Sequence, residues 1–273
     1  MGVKVFSRAF GVPENNATLN VALNNKYSIL FMRQYFTKAE IPFHIFNHGT
    51  EERKIFNDYA EYCRFIFLMW VYRIGSPKRN MTQKETIQAA EAILTSEEPP
   101  ESFYNRESSP LTTFITWNLL PNHFHFILIS LIDGGISKYM NRIANAYTKY
   151  FNARHERRGR LFQNSYQSIG VKDIKYAMVL LRYINLNHAK LVEPNWKEHR
   201  LQDRVKIRQF TDSYKWSAHL DYMGKRHSLL IDYQTVSELF EVEFDKNGFE
   251  GYEDFIDKWF KDDFEDITKY ILE

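Results

Sequence analysis

The stretch "LTTFITWNLLPNHFHFILISL", residues 111–131, constrains the fold more than any other part of the chain. Two apolar runs rich in β-branched and aromatic residues meet at Pro121-Asn122, which reads as two strands joined by a tight turn. Side chains alternate across a strand. Over 122–130, His123, His125, Ile127 and Ile129 therefore share one face, and Phe124, Phe126, Leu128 and Ser130 share the other. Both faces are mainly apolar, as in a central strand covered on both sides, and only the histidines depart from the pattern.

Such a strand pair needs further layers, and its neighbours supply them. "IPFHIFNHG" (41–49) reads as a short strand ended by Gly49, and "NDYAEYCRFIFLMWVYRI" as a helix capped by Asn57 or Asp58. In "ISKYMNRIANAYTKYFNARH", Ile136, Tyr139, Met140, Ile143, Ala146, Tyr147 and Tyr150 recur at helical spacing. "GRLFQNSYQSIGV" predicts a strand from Gly159, and "KDIKYAMVLLRYINLN" a helix opened at Asp173. The order strand, helix, strand, strand, helix, strand, helix predicts an α+β domain with a mainly antiparallel sheet and packed helices, a ferredoxin-like core. We expect that domain to span residues 37–192, after a loosely ordered, polar N-terminal extension (1–36). Residues 75–110 read as an insertion with a short helix at 82–95. Residues 193–273 read as a C-terminal region of loops and short helices, acidic from about residue 231.

The single cysteine, Cys63, allows no intramolecular disulfide and no multi-thiolate zinc site. The longest apolar run, "FIFLMWVY", is far short of the ~18 residues of a membrane span. With no apolar signal core near its start, the chain is expected to be soluble and cytoplasmic, with no membrane partner. The formal net charge of +2 hides a split. Lys138–Val192 holds eleven lysines and arginines against two acids, whereas Ile231–Glu273 holds fourteen acids against four lysines. The basic segment should attract polyanions. Its candidate phosphate contacts are Lys138, Arg142, Lys149, Arg154, Arg157, Arg158 and Arg160, although the same pattern also describes a solvated surface. Tyr147, Tyr150, Phe162 and Tyr166 lie among them, as base-stacking platforms or as core.

Two strand steps put the histidine Cα atoms roughly 7 Å apart, so both imidazoles can reach one metal ion. The same pair also fits two hydrogen-bonded core histidines, or two histidines at a wet strand end. A metal site needs at least one more ligand, and a reaction needs a nucleophile or a water. On the helix after Asp173, Tyr176, Leu180, Tyr183 and Asn187 form one stripe. Facing the histidines, Asn187 would offer an amide oxygen with Tyr183 beside it. Facing elsewhere, Tyr183 is a core aromatic and Asn187 a helix C-terminal residue.

Together these stretches resemble the single-tyrosine HUH transposases, specifically the REP-associated tyrosine transposase branch. The matching segments are "FHIFNHGTEERKIF" (43–56), "LLPNHFHFILI" (119–129), "GGISKYMNRIANAYTKYFNARHERRGRLFQNSYQS" (134–168), "LLRYINLNHAKLVEP" (180–194) and "YKWSAHLDYMG" (214–224). The resemblance implies an HUH endonuclease core in which His123 and His125 hold Mg²⁺ or Mn²⁺, with Asn187 as third ligand and Tyr183 as nucleophile. It implies cleavage and rejoining of single-stranded or hairpin DNA through a 5′-phosphotyrosine link, in DNA transposition of REP-like elements, with a homodimer as an expected state. The chain departs from the family at His188, where proline is usual, and at His48, where arginine is usual. It also has Ser165 and Gln167 where basic residues are usual. Met32 resembles the usual family start, so residues 1–31 are expected to be dispensable or to come from an upstream start codon. The competing expectations are a domesticated hairpin-binding protein without cleavage, and a relaxase or replication initiator of the same chemistry.

Overall fold

A computed structural model describes residues 41–194 and 203–261. The predicted N-terminal extension (1–36) and the last part of the acidic region (262–273) lie outside the described residues. The central element is β1 (Pro42–His48), which pairs antiparallel on one side with β5 (His123–Ser130) and on the other with β6 (Gln167–Gly170). On its outer side β5 pairs antiparallel with β4 (Thr112–Leu120), which gives a four-stranded sheet in the order β4-β5-β1-β6. Helix α1 (Tyr59–Ile74) follows β1, and α3 (Gly135–Arg154) joins β5 to β6. The core is thus β-α-β-β-α-β with its strands in ferredoxin-like order, as the α+β reading expects.

Local signals set these elements. The Asp58 side chain accepts from the backbone N–H of Glu61 and opens α1, and the apolar run of that helix supplies a wide buried surface. Phe65 of α1 packs on Phe124 and Phe126, with ring centroids 5.5 and 6.5 Å away. Tyr139 of α3 meets Phe114 edge-on. Both helices therefore cover the phenylalanine face of β5. Truncating a ring such as Phe126, wholly buried here, costs about 3–5 kcal/mol.

The opposite face carries α4 (Ile174–Leu186), opened by Asp173, whose side chain accepts from Tyr176 N–H. That face is more polar than the alternation suggested. The register sets His48 opposite His123 and Phe46 opposite His125, and on the other side Asn118 opposite His125. His44, His48, Asn118, His123 and His125 consequently form a seam beneath α4.

Two further departures concern the loops. The predicted strand from Gly159 is confined to Gln167–Gly170. Leu161 and Phe162 are successive buried residues, which breaks the alternation, and the chain there meets the end of β1 through isolated bonds such as Gln163 N–H to His48 O. Residues 75–106 form a small hairpin, β2 (Gly75–Pro77) with β3 (Tyr104–Arg106), around α2 (Gln83–Leu94). Gly75 is required there, because a Cβ would lie 1.8 Å from the Asn105 carbonyl oxygen. A Thr82–Glu85 capping box starts α2, and its Ala89, Ala90 and Ile93 join the main core.

The C-terminal region forms α5 (Arg204–Thr211), α6 (His219–Tyr222), α7 (Tyr233–Phe240), the hairpin of β7 (Phe244–Asp245) and β8 (Gly248–Phe249), and α8 (Tyr252–Lys261). The start of α8 packs against α4: Asn185 donates to Tyr252 Oη at 3.0 Å, and Arg182 lies over Phe255. No helix of the described residues is long and apolar enough to cross a membrane.

Candidate active site

The turn before His123 is pinned by three backbone bonds. Pro121 O accepts from Ile55 and Phe56 N–H, and Asn122 O accepts from Gly49 N–H. This fixes where β5 begins and hence where its first histidine points. His123 and His125 are both buried, with ring centroids 5.1 Å apart and planes perpendicular.

A directional chain of hydrogen bonds orients His123. Asn122 Nδ2 donates to Glu52 Oε2 at 2.8 Å, which turns the amide oxygen towards the imidazole. Asn122 Oδ1 lies 2.6 Å from His123 Nδ1, so Nδ1 carries the proton and Nε2 presents its lone pair. Lys190 Nζ stands 2.7 Å from that Nε2 and donates to it. His125 is oriented by β1, with His44 Nε2 3.2 Å from its Nδ1, so that Nε2 remains as the nitrogen for a cation. His48 stacks on His123 at 4.7 Å. Its Nδ1 is buried and has no hydrogen-bond partner among the described residues.

Helix α4 turns the predicted stripe towards this seam. Tyr183 is fully buried with its ring 5.8 Å from that of His125, edge to face. Asn187 follows one turn later, where α4 passes into a short 3₁₀ turn (Asn187–Leu191), and its Nδ2 donates to Tyr183 Oη at 3.3 Å. Asn187 Oδ1 is buried and lacks a hydrogen-bond partner among the described residues. Leaving such an acceptor unmatched costs about 1–3 kcal/mol, and a cation would satisfy it.

These donors fit a divalent ion. The two imidazoles and one amide oxygen form a mixed set that suits Mn²⁺ and tolerates Mg²⁺. Among the described residues there is no cluster of three or more His, Cys, Asp or Glu able to hold a metal, and the Asn187 amide oxygen is the further oxygen donor beside the two imidazoles. The bonds at both Nδ1 atoms are of the kind that fixes the tautomer of metal-binding histidines. Lys190 stands in for the ion: its ammonium places a positive charge on the Nε2 lone pair a metal would take.

Residues 94–187 match the family model described as "Transposase IS200 like". Neither the curated proteins nor the solved structures contain a match to the chain. The transposase-like stretch runs from the end of α2 through α4 and so contains His123, His125, Tyr183 and Asn187. The two histidines of β1 and Lys190 fall outside it.

The departures at His188 and His48 have different outcomes. His188 is buried at the edge of the seam and turned to its C-terminal neighbours: Asn118 Nδ2 donates to its Nδ1 at 3.1 Å, its Nε2 lies 3.4 Å from Thr211 O, and its ring stacks on Tyr214. Burial holds its imidazole well below the usual range, so it is a neutral core residue and adds no ligand. His48, in contrast, joins the site. His44, His48 and Lys190 are additions to the site read from the sequence. The first two were visible as the period-two pattern in "HIFNH", whereas Lys190 had no local signal.

The seven basic candidates divide. Arg142 pairs with Glu107 at 2.8 Å, and Lys138 reaches the same carboxylate at 3.9 Å. Arg154 pairs with Asp58 and Glu61, and Arg157 donates to Asn152 Oδ1 and Arg160 O. Lys149, Arg158 and Arg160 are exposed and make no ion pair among the described residues. Of the aromatic candidates, Tyr147 and Phe162 are core, whereas Tyr150 and Tyr166 are half-buried. The acids of α8 pair with Arg208, through Asp257 at 2.6 Å and Glu253 at 3.8 Å.

Proposed function

We propose that the chain is a metal-dependent single-stranded DNA endonuclease and strand transferase of the REP-associated tyrosine transposase type, with Tyr183 as nucleophile. The observation that carries this reading is Tyr183 Oη beside Asn187, with its ring against His125, all within one chain and on the face that His123 shares. A match to transposases over the same residues supports it.

The phenol of Tyr183 gives up its proton and its oxygen attacks the scissile phosphorus. The bond from phosphorus to the 3′-oxygen breaks, and that oxygen leaves as a hydroxyl after taking a proton. The new 5′-phosphotyrosine retains the energy of the broken diester, so a second 3′-hydroxyl can reverse the step without ATP. His123, His125 and Asn187 would hold Mg²⁺ or Mn²⁺, whose contribution is to neutralise the non-bridging oxygens of the phosphate. Asn187 keeps the phenol in line through its Nδ2, and His44 and Asn122 keep the two imidazoles turned inward. Lys190, which donates to His123 Nε2, would yield that nitrogen to a bound metal and would meet phosphate charge nearby.

The presence of Lys190 on His123 favours one second reading, a hairpin-binding protein that no longer cleaves. Incubation with hairpin-flanked single-stranded DNA and Mn²⁺ separates the two. A protein–DNA adduct stable to denaturant, absent from Tyr183→Phe, is the result expected of the nuclease.

A further inference from the structure

The insertion at 75–110 has no part in the site above, yet it builds one wall of a cleft of about 740 Å³. The other walls are α1 and α3. Lining it are Arg64 and Tyr72 from α1, Lys78 and Arg79 from the turn after β2, and Lys149 and Tyr150 from α3. Among the described residues no aspartate or glutamate lines it. Arg79 is neutralised by Glu85 at 2.7 Å, and Lys78 donates to the Glu101 carbonyl. Arg64 and Lys149 make no ion pair among the described residues. The Arg64 guanidinium lies over the Tyr150 ring, 5.2 Å from its centroid, and donates weakly to Thr86 Oγ1 at 3.4 Å. Its Nε is buried and without a hydrogen-bond partner among the described residues.

Unneutralised cations beside aromatic rings in a narrow cleft suit a polyanion with flat rings. Phosphates meet Arg64, Lys78 and Lys149, while bases stack on Tyr72 and on the Arg64–Tyr150 pair. A cleft of this size encloses one drug-sized molecule, hence a nucleotide or two and not a duplex. The geometry points to a second nucleic-acid site, a cleft that grips single-stranded DNA on the side of the molecule opposite the histidines. Helices α1 and α3 cover the phenylalanine face of the sheet, so the cleft and Tyr183 are separated by the sheet and a helical layer. The strand held there is remote from the scissile phosphate. This inference rests on the DNA-processing reading, and it gives the insertion a role as a strand anchor.

The test is fluorescence anisotropy of a labelled 20-nucleotide oligo-dT with the full chain, titrated at several salt concentrations. Each phosphate contact on a single strand contributes roughly 0.7 to the slope of log affinity against log salt. The double variant Arg64→Gln/Lys149→Gln should therefore lower the slope by about 1.4 and weaken binding several-fold. Lys149→Glu, at an exposed position, checks the result without disturbing the interior and should also weaken binding. With 5-bromouracil in the oligonucleotide, photocrosslinks should map to the peptide holding Tyr72. An unchanged slope in both variants overturns the inference, as does poly-glutamate bound with the same affinity and lost in the same variants, which would assign the cleft to acidic polypeptides. A chain that forms the Tyr183 adduct while its cleft variants bind normally refutes the cleft alone. A chain that binds oligo-dT through the cleft but forms no adduct refutes the nuclease alone.

Discussion

Replacing Tyr183 with phenylalanine separates chemistry from folding, and the structure sets the size of each effect. The substitution removes one oxygen and keeps a ring of the same shape. The edge-to-face contact with His125 at 5.8 Å survives, and with it the burial of the side chain. What is lost at Asn187 is the acceptor for its Nδ2, a bond of 3.3 Å at the long end of the useful range. Stranding that donor costs about 1 kcal/mol, the low end for a buried polar group. In a domain of this size that lowers Tm by roughly 2–4 °C. The variant should therefore fold, melt cooperatively slightly below the parent, and still bind hairpin-flanked single-stranded DNA. It should form no denaturant-stable adduct, because no hydroxyl remains beside Asn187 to attack phosphorus. The assay is denaturing electrophoresis of labelled DNA after incubation with Mn²⁺, alongside a thermal melt. An adduct of undiminished yield in the folded variant would refute Tyr183 as nucleophile and with it the argument from its neighbours.

Three other outcomes follow from the same geometry. Lys190→Met removes the ammonium that competes for His123 Nε2, so Mn²⁺ should bind about fivefold tighter without DNA, from roughly 1 kcal/mol of lost competition; calorimetry showing equal or weaker binding would contradict the stand-in role. His44→Phe keeps a ring against Phe46 but releases His125 Nδ1, and should weaken Mn²⁺ binding roughly 10–100-fold, whereas unchanged affinity would mean His44 does not orient the ligand. Burial holds the imidazoles of His188 and His219 below the usual range, His219 despite Asp212 and with Arg208 and Lys225 nearby. Unfolded, both take protons below about pH 6.5 and folded they resist, so stability is full above that pH and falls below it, by up to about 1.4 kcal/mol per pH unit for each group. Urea melts from pH 8 to 5 should show the loss and His188→Gln should shrink it; a flat profile would mean these rings are protonated in the fold.

Local periodicity made much of this molecule legible. The parity of β5 put His123 and His125 on one face, the three-and-four spacing of α4 put Tyr183 and Asn187 on one stripe, and Asn57-Asp58 and Asp173 announced their helices. Each of these depends only on residues a few positions apart, because strand alternation and helical pitch are properties of the backbone alone. Where the pattern was weaker, at Leu161-Phe162, a strand was expected and a buried loop was found.

The tertiary structure decided which of these stripes meet. Pairing of β1 with β5 brought His44 to His125 across 81 residues, and His48 onto His123. Packing of α4 on that face turned Tyr183 inward, and the 3₁₀ turn after it carried Lys190 onto an imidazole. The same long-range packing set the insertion against α1 and α3 to make a basic cleft. Register and packing are chosen by contacts between distant segments, so no local repeat encodes them. The sequence alone showed the histidine pair and the tyrosine stripe; only the folded sheet determined that they share a face, and what stands beside them.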